Sequence, residues 1–184
     1  MEAEIRRVVT GHDANGTAIL LSDGIASNVR VRATTGTRST LIWTTESSPP
    51  PYASDDRGAV QAGVAPPFNG TTFRIVEFPG ADPGKDGDNA AIAAEMGLHH
   101  DTAGRRAPRH PAMHGTDSVD YAVILDGEID MLLDETEVHL RAGDVIVQQG
   151  TNHAWVNRGS RPCRIAFVLM GTHPPVFAAP GKGA

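Results

Sequence analysis

Short alternations of apolar and polar residues, punctuated by turn residues, run through most of this chain. Ile5-Arg6-Arg7-Val8-Val9-Thr10 and Ala18-Ile19-Leu20-Leu21 flank a segment containing Asn15-Gly16. Asn-Gly between two apolar runs predicts a hairpin. Thr40–Thr44, rich in β-formers, predicts a further strand. The stretch 46–70 holds Pro49-Pro50-Pro51 and Pro66-Pro67, which cannot continue a ladder, so it reads as loop. Phe73–Phe78 predicts a strand that Pro79-Gly80 stops. Residues 81–109 are the most irregular. They predict one short helix over 89–96, with Asp88 as N-cap and Gly97 just past its end. The rest of that region, with His99, His100 and the basic run 105–109, reads as solvated loop.

From His110 onward the rhythm tightens. Strands are predicted over 119–125, 128–133, 136–140, 145–148, 153–157 and 163–170, separated by Gly-containing or acidic turns. No helix-length segment lies between them, so βαβ units are excluded and an all-β sandwich or barrel is predicted. No internal repeat is visible. The expected organisation is a strand arm and Pro-rich loop over 1–70, a barrel over 71–172 and a flexible tail over 173–184.

Composition adds limits. Apolar residues make up 40% of the 184, enough for a globular core, but aromatics are only 5%, so aliphatic side chains must build it. Gly contributes 20 residues and Pro 13, which favours turns and loops over helical bundles. The net charge of −6 opposes nucleic-acid binding, which needs clustered Lys and Arg. The charged start lacks an apolar signal region, and Ile165–Met170, the longest apolar run, is far short of the ~20 residues of a membrane helix. A cytoplasmic protein without a membrane partner is the expectation. Cys163, the single cysteine, cannot form an internal disulfide and shares strand parity with Ile165 and Phe167, as a buried, inert thiol would.

The candidate chemistry lies in the strand block. His114 and Thr116 are two apart and share a strand face. Asp120 shares a face with Ala122 and Ile124, and His153 opens the strand after Gly150. Two imidazoles and a carboxylate inside a barrel are costly unless hydrogen-bonded or metal-bound. His110 and Trp155 are candidates for the pocket wall. Tyr121 falls on the opposite face from Asp120 and is expected to pack, and His139 is expected on the surface. No nucleophile elbow, phosphate loop or dinucleotide fingerprint is present, so no nucleotide cofactor is expected.

These residues resemble the two motifs of the cupin superfamily. His114, Thr116 and Asp120, followed by Gly127, fall on the first motif. Gly143–Asn157, with Gly150-Thr151, His153, Trp155 and Asn157, falls on the second. Thr116 stands where the family has a second histidine, Asp120 where it has glutamate, and Gln149 where it has proline. The resemblance covers roughly residues 110–172. It implies a double-stranded β-helix, or jelly-roll barrel, with an N-terminal strand arm and a homodimer in which the arm pairs with a neighbour. It implies His114, Asp120 and His153 as ligands of a divalent metal, with Thr116 at best a supporting hydroxyl. Such a set suits Fe, Zn or Mn with open positions for substrate. The other reading is a barrel that has lost its metal, its histidines hydrogen-bonded to Asp120 or water.

Two functions compete. One is a metal-assisted lyase, decarboxylase or dioxygenase acting on a small oxygenated organic molecule, with His114, Asp120 and His153 as the catalytic set. The other is a non-catalytic small-molecule-binding cupin.

Overall fold

The computed structural model describes residues 4–60, 62–81 and 109–174. The helix expected over 89–96, His99, His100, basic positions 105–108 and tail positions 175–184 lie outside these residues. The described residues form eleven strands and no helix. They are β1 (Arg6–His12), β2 (Ala18–Ile25), β3 (Val29–Val31), β4 (Arg38–Thr45), β5 (Thr71–Phe78), β6 (Ser118–Asp126), β7 (Glu128–Leu133), β8 (Glu137–Arg141), β9 (Val145–Gln149), β10 (His153–Val156) and β11 (Cys163–Gly171).

β1 and β2 make the predicted hairpin. Gly16 turns it with a positive φ of 80°, and the Asp13 carboxylate accepts the amides of Asn15 and Thr17. Six strands form the large sheet in the order β3-β4-β5-β11-β6-β9, and three form a smaller one in the order β10-β7-β8. β3 was not legible, because three residues are too few to show a period. β3 and β4 belong to the large sheet, so that sheet crosses the expected boundary at residue 70.

Alternation explains how the sheets face each other. β6 buries Ser118, Asp120, Ala122 and Ile124, and β11 buries Cys163, Ile165, Phe167 and Leu169. The small sheet answers with Ile129, Met131 and Leu140, and together these side chains make one apolar core between the layers. The two layers form a sandwich at whose polar end the motif residues sit. Removing this much apolar surface from water is the main favourable contribution to the fold. Cys163 is fully buried as expected, and burial pushes its thiol up to about 11.

One expectation is corrected. Tyr121 has the outward parity expected but does not pack, being 44% exposed beside Val123 and Val147 on the outer sheet face. Arg109 lies on an exposed bend, as the solvated-loop reading expects, and its Nη1 donates to the carbonyls of Leu133 and Thr136. Arg164 turns away from the interior to pair with Glu77 at 3.0 Å. His139 is exposed, with Asp130 as its nearest acid. Among the described residues no helix is long and apolar enough to cross a membrane.

Candidate active site

All six predicted site residues border one cavity of about 1020 Å³. His110, His114 and Thr116 come from the segment leading into β6. Asp120 comes from β6, and His153 and Trp155 from β10. An isolated antiparallel bridge between His114 and His153 joins the first motif to the second.

The two imidazoles are 4.4 Å apart between ring centres. Nδ1–H of His114 donates to the Ala112 carbonyl at 2.8 Å, and Nδ1–H of His153 donates to the Thr151 carbonyl at 2.9 Å. Each bond fixes the tautomer, leaving the lone pair on Nε2. His153 is almost wholly buried. Burial first, and then the neighbouring His114, push it down to about 3, so it is neutral at ordinary pH. His110 is also lowered, by burial and by Arg158, and its Nδ1 accepts the Ala112 amide at 3.1 Å.

Asp120 belongs to a different network. The Ser118 hydroxyl donates to its Oδ1 at 2.6 Å, and Gln148 Nε2 donates to its Oδ2 at 3.0 Å. Thr116 Oγ1 lies 2.7 Å from Ser118 Oγ, and since Ser118 gives its proton to Asp120, Thr116 donates to Ser118. All four side chains are buried. Burial raises the Asp120 pKa, while the Ser118 bond and the Arg74 charge pull it back. The result is a carboxyl group that holds its proton more readily than an exposed one.

The metal implied by the resemblance needs three convergent donors. Among the described residues no three His, Cys, Asp or Glu side chains group so that they could hold a metal ion. The physical reason is the position of Asp120: its two oxygens each accept a bond from another side chain, and the imidazoles lack it as a third ligand. Thr116 is part of the carboxylate's hydrogen-bond chain. Among the described residues, His114, Asp120 and His153 share the cavity without grouping as a three-ligand set.

Four participants were not anticipated. Ser118 carries the same strand parity as Thr116 and Asp120, a signal the period of two contains. Gln148 is the cross-strand partner of Asp120 in the β6–β9 register, which a hairpin count from the turns could have found. Arg32 and Arg74 border the cavity from the large sheet's other half. Nothing local in the sequence marks them. The wall between is apolar: Trp155 meets Phe167 edge-on at 5.4 Å and lies 6.4 Å from Phe78.

Comparison with known proteins agrees with the motif residues. Residues 98–169 match the family model described as Cupin domain. The chain is 52% identical over 64 residues to the "Phomopsin biosynthesis cluster protein C'" of Diaporthe leptostromiformis, a stretch covering 34% of each. The match thus spans about a third of that relative's length. It is 28% identical over 176 residues to the "Cupin-domain-containing oxidoreductase fogC" of Aspergillus ruber, covering 91% of this chain and 73% of the relative. Among solved structures, a "Cupin 2 conserved barrel domain protein" from Salinispora arenicola aligns at 14% identity with a TM-score of 0.42, over 78% of this chain and 81% of that one. The family match spans both motifs, whose residues gather at one end of an all-β sandwich, so residues 98–169 are similar to a cupin domain.

Proposed function

We propose that this chain is a small-molecule enzyme of the cupin type that moves a proton on an oxygenated organic substrate held in the cavity, as a lyase or decarboxylase does. The observation that carries the reading is the pairing of two buried groups with opposite tendencies: Asp120, which leans toward keeping its proton, and His153, which leans toward staying neutral. Titratable groups in one pocket with pKa values displaced by burial are the mark of acid–base assignment.

The roles follow from the hydrogen bonds. Asp120 gives or takes the proton. Ser118 and Gln148 hold its two oxygens in place, and Thr116 fixes the Ser118 hydroxyl. With Nδ1–H committed to backbone carbonyls, the imidazoles of His114 and His153 present acceptor nitrogens. They orient a substrate hydroxyl and do not act as acids. Trp155 and Phe167 exclude water from one side.

A second reading is oxidation at the same pocket, the dioxygenase expectation. It is favoured by the name of the Aspergillus ruber relative, an oxidoreductase, and by the imidazole pair, which supplies two nitrogen donors.

The test is proton exchange. A panel of small hydroxy- and oxo-compounds is incubated with protein in deuterated water and followed by NMR. We expect deuterium uptake, elimination or CO₂ release for at least one compound. Asp120→Asn should lower its rate by about 10²–10⁴-fold, the usual scale for one acid–base group. Oxygen consumption that requires added Fe(II) selects the oxidation reading. Tight binding with no turnover under either regime selects the non-catalytic binder.

A further inference from the structure

Arg74 sits on β5 between the inward-facing Thr72 and Val76 and borders the same cavity as Asp120. One end of its guanidinium, Nη2, donates to the Gly63 carbonyl. Its Nε is buried and has no hydrogen-bond partner. A buried guanidinium donor left unmade is costly, and such atoms in a native fold call for an explanation.

Arg32 and Arg30 both act on Arg74 with like charge, and Asp120 is the acid that acts against them. Burial and the two arginines together lower Arg74 to about 10. Arg32 borders the cavity as well, while Arg30 borders a small cleft behind Arg74. Two guanidiniums, those of Arg74 and Arg32, thus line one largely apolar cavity. Guanidinium geometry matches a carboxylate through two parallel N–H donors. The remainder of the cavity, walled by Trp155, Phe167, Leu169 and Phe78, suits a flat apolar body.

We propose that Arg74, with Arg32 lining the same cavity, binds the carboxylate of an organic acid whose apolar, ring-sized body lies against Trp155 and Phe167. The inference rests on the proton-transfer reading for its consequence, since it sets the substrate class as an aromatic or similarly flat carboxylic acid. It does not depend on that reading for the binding itself. Arg74 is a binding residue here, holding one end of the substrate while Asp120 and the imidazoles address the other.

The experiment is calorimetric titration of the full chain with benzoate, with benzamide as its neutral isostere, and with inorganic phosphate as competitor. Benzoate should bind at least about 10-fold more tightly than benzamide, as a charge-assisted pair requires. Arg74→Gln should erase that preference and leave benzamide unchanged, while Arg74→Lys should restore part of it. Equal binding of benzoate and benzamide to the wild-type protein overturns the inference without any variant. So does phosphate displacing benzoate at equal concentration, which would show an inorganic-anion site. Arg32→Gln gives a second reading of the same contact should Arg74→Gln not fold. Asp120→Asn separates the two proposals: it should keep the benzoate preference while slowing proton exchange by about 10²–10⁴-fold. Carboxylate preference with no Asp120-dependent exchange removes the function and leaves this site. Exchange with no carboxylate preference does the reverse.

Discussion

His114 and His153 exchange both of their backbone hydrogen bonds, each amide donating to the other's carbonyl at 2.8 Å. This two-residue ladder locks the segment before β6 to the start of β10 and holds the two ring centres 4.4 Å apart, the planes tilted by 47°. The bond pattern of the main chain thus sets the distance between the side chains. It also fixes their tautomer, since each ring's Nδ1–H is taken by a carbonyl two residues earlier.

The first prediction is a pH dependence of stability. His153 is lowered to about 3 in the fold, whereas in the unfolded chain it titrates near pH 6.5. Between those values the unfolded chain binds a proton that the native chain refuses. The stabilisation is whole above roughly pH 6.5 and is lost as pH falls, at a limiting rate of about 1.4 kcal/mol per pH unit. Asp120, raised by burial, works in the opposite sense: its protonated form is favoured by the fold, so its own contribution grows as pH drops through the lower part of that window. Urea unfolding at steps between pH 7 and pH 5 should show a falling midpoint. His153→Gln should flatten the fall, although its absolute stability is lower. An equally steep fall in the variant would assign the effect elsewhere.

The second prediction concerns the Asp120 network. Ser118 donates to Oδ1 and favours the ionised carboxylate. Removing the hydroxyl in Ser118→Ala leaves the carboxylate oxygen with one donor fewer and strands the Thr116 hydroxyl. Stability should fall by about 1–3 kcal/mol, the cost of a broken buried network. The Asp120 pKa should rise further, so the limb of the pH–rate profile that reports it should move to higher pH. Gln148→Leu should act in the same direction through Oδ2, because its amide also stabilises negative charge. A profile unmoved by either change would remove Asp120 from the reacting groups.

How much of this was readable follows the range of each signal. The strands after His110 were legible because their period of two is local and the turns between them carry Gly or acidic residues. The parity of Asp120 with Ala122 and Ile124 was equally legible, and all three are buried. What the period cannot say is where a side chain's atoms end. The shared cavity of His114, Asp120 and His153 was within reach of the motifs, but the engagement of Asp120 by Ser118 and Gln148 depends on cross-strand register and rotamers. Arg74 and Arg32 were out of reach for another reason: they approach from β5 and from the residue just after β3, separated from the motifs by some 40 to 80 residues. A charged residue on a predicted strand reads as solvent-facing until the sheet order is known.

A third prediction is that chelation leaves proton-exchange activity intact. Two imidazoles with no third donor among the described residues make a weak grip on a divalent cation. Dialysis against a strong chelator should change the exchange rate by less than about twofold and leave the melting temperature in place, as for a fold that draws no binding energy from a metal. A large loss of either that Zn(II) or Fe(II) restores would show that a further ligand completes the set.

The last prediction tests the turn that aligns the two layers. Gly127 links β6 in the large sheet to β7 in the small one and takes a positive φ of 76°. Its amide neighbourhood is crowded as well as strained: a Cβ placed there would stand 2.4 Å from the Pro162 carbonyl oxygen and 2.9 Å from the Cys163 Cα. Both contacts are backbone atoms at the start of β11, which cannot swing aside as a side chain could. Gly127→Ala must therefore either abandon the left-handed conformation, breaking the Ala142 amide's bond to the Gly127 carbonyl, or push β11 outward. Left-handed strain alone costs about 1–3 kcal/mol, and the clash adds to it. For a chain of this length each kcal/mol lowers the melting point by roughly 2–4 °C, so a drop of several degrees is expected. Gly143→Ala is the control. It shares a positive φ, of 95°, but has open space where the methyl would go. It should cost the strain without the collision, and a loss as large as that of Gly127→Ala would show that crowding against Pro162 is not what this turn requires of glycine.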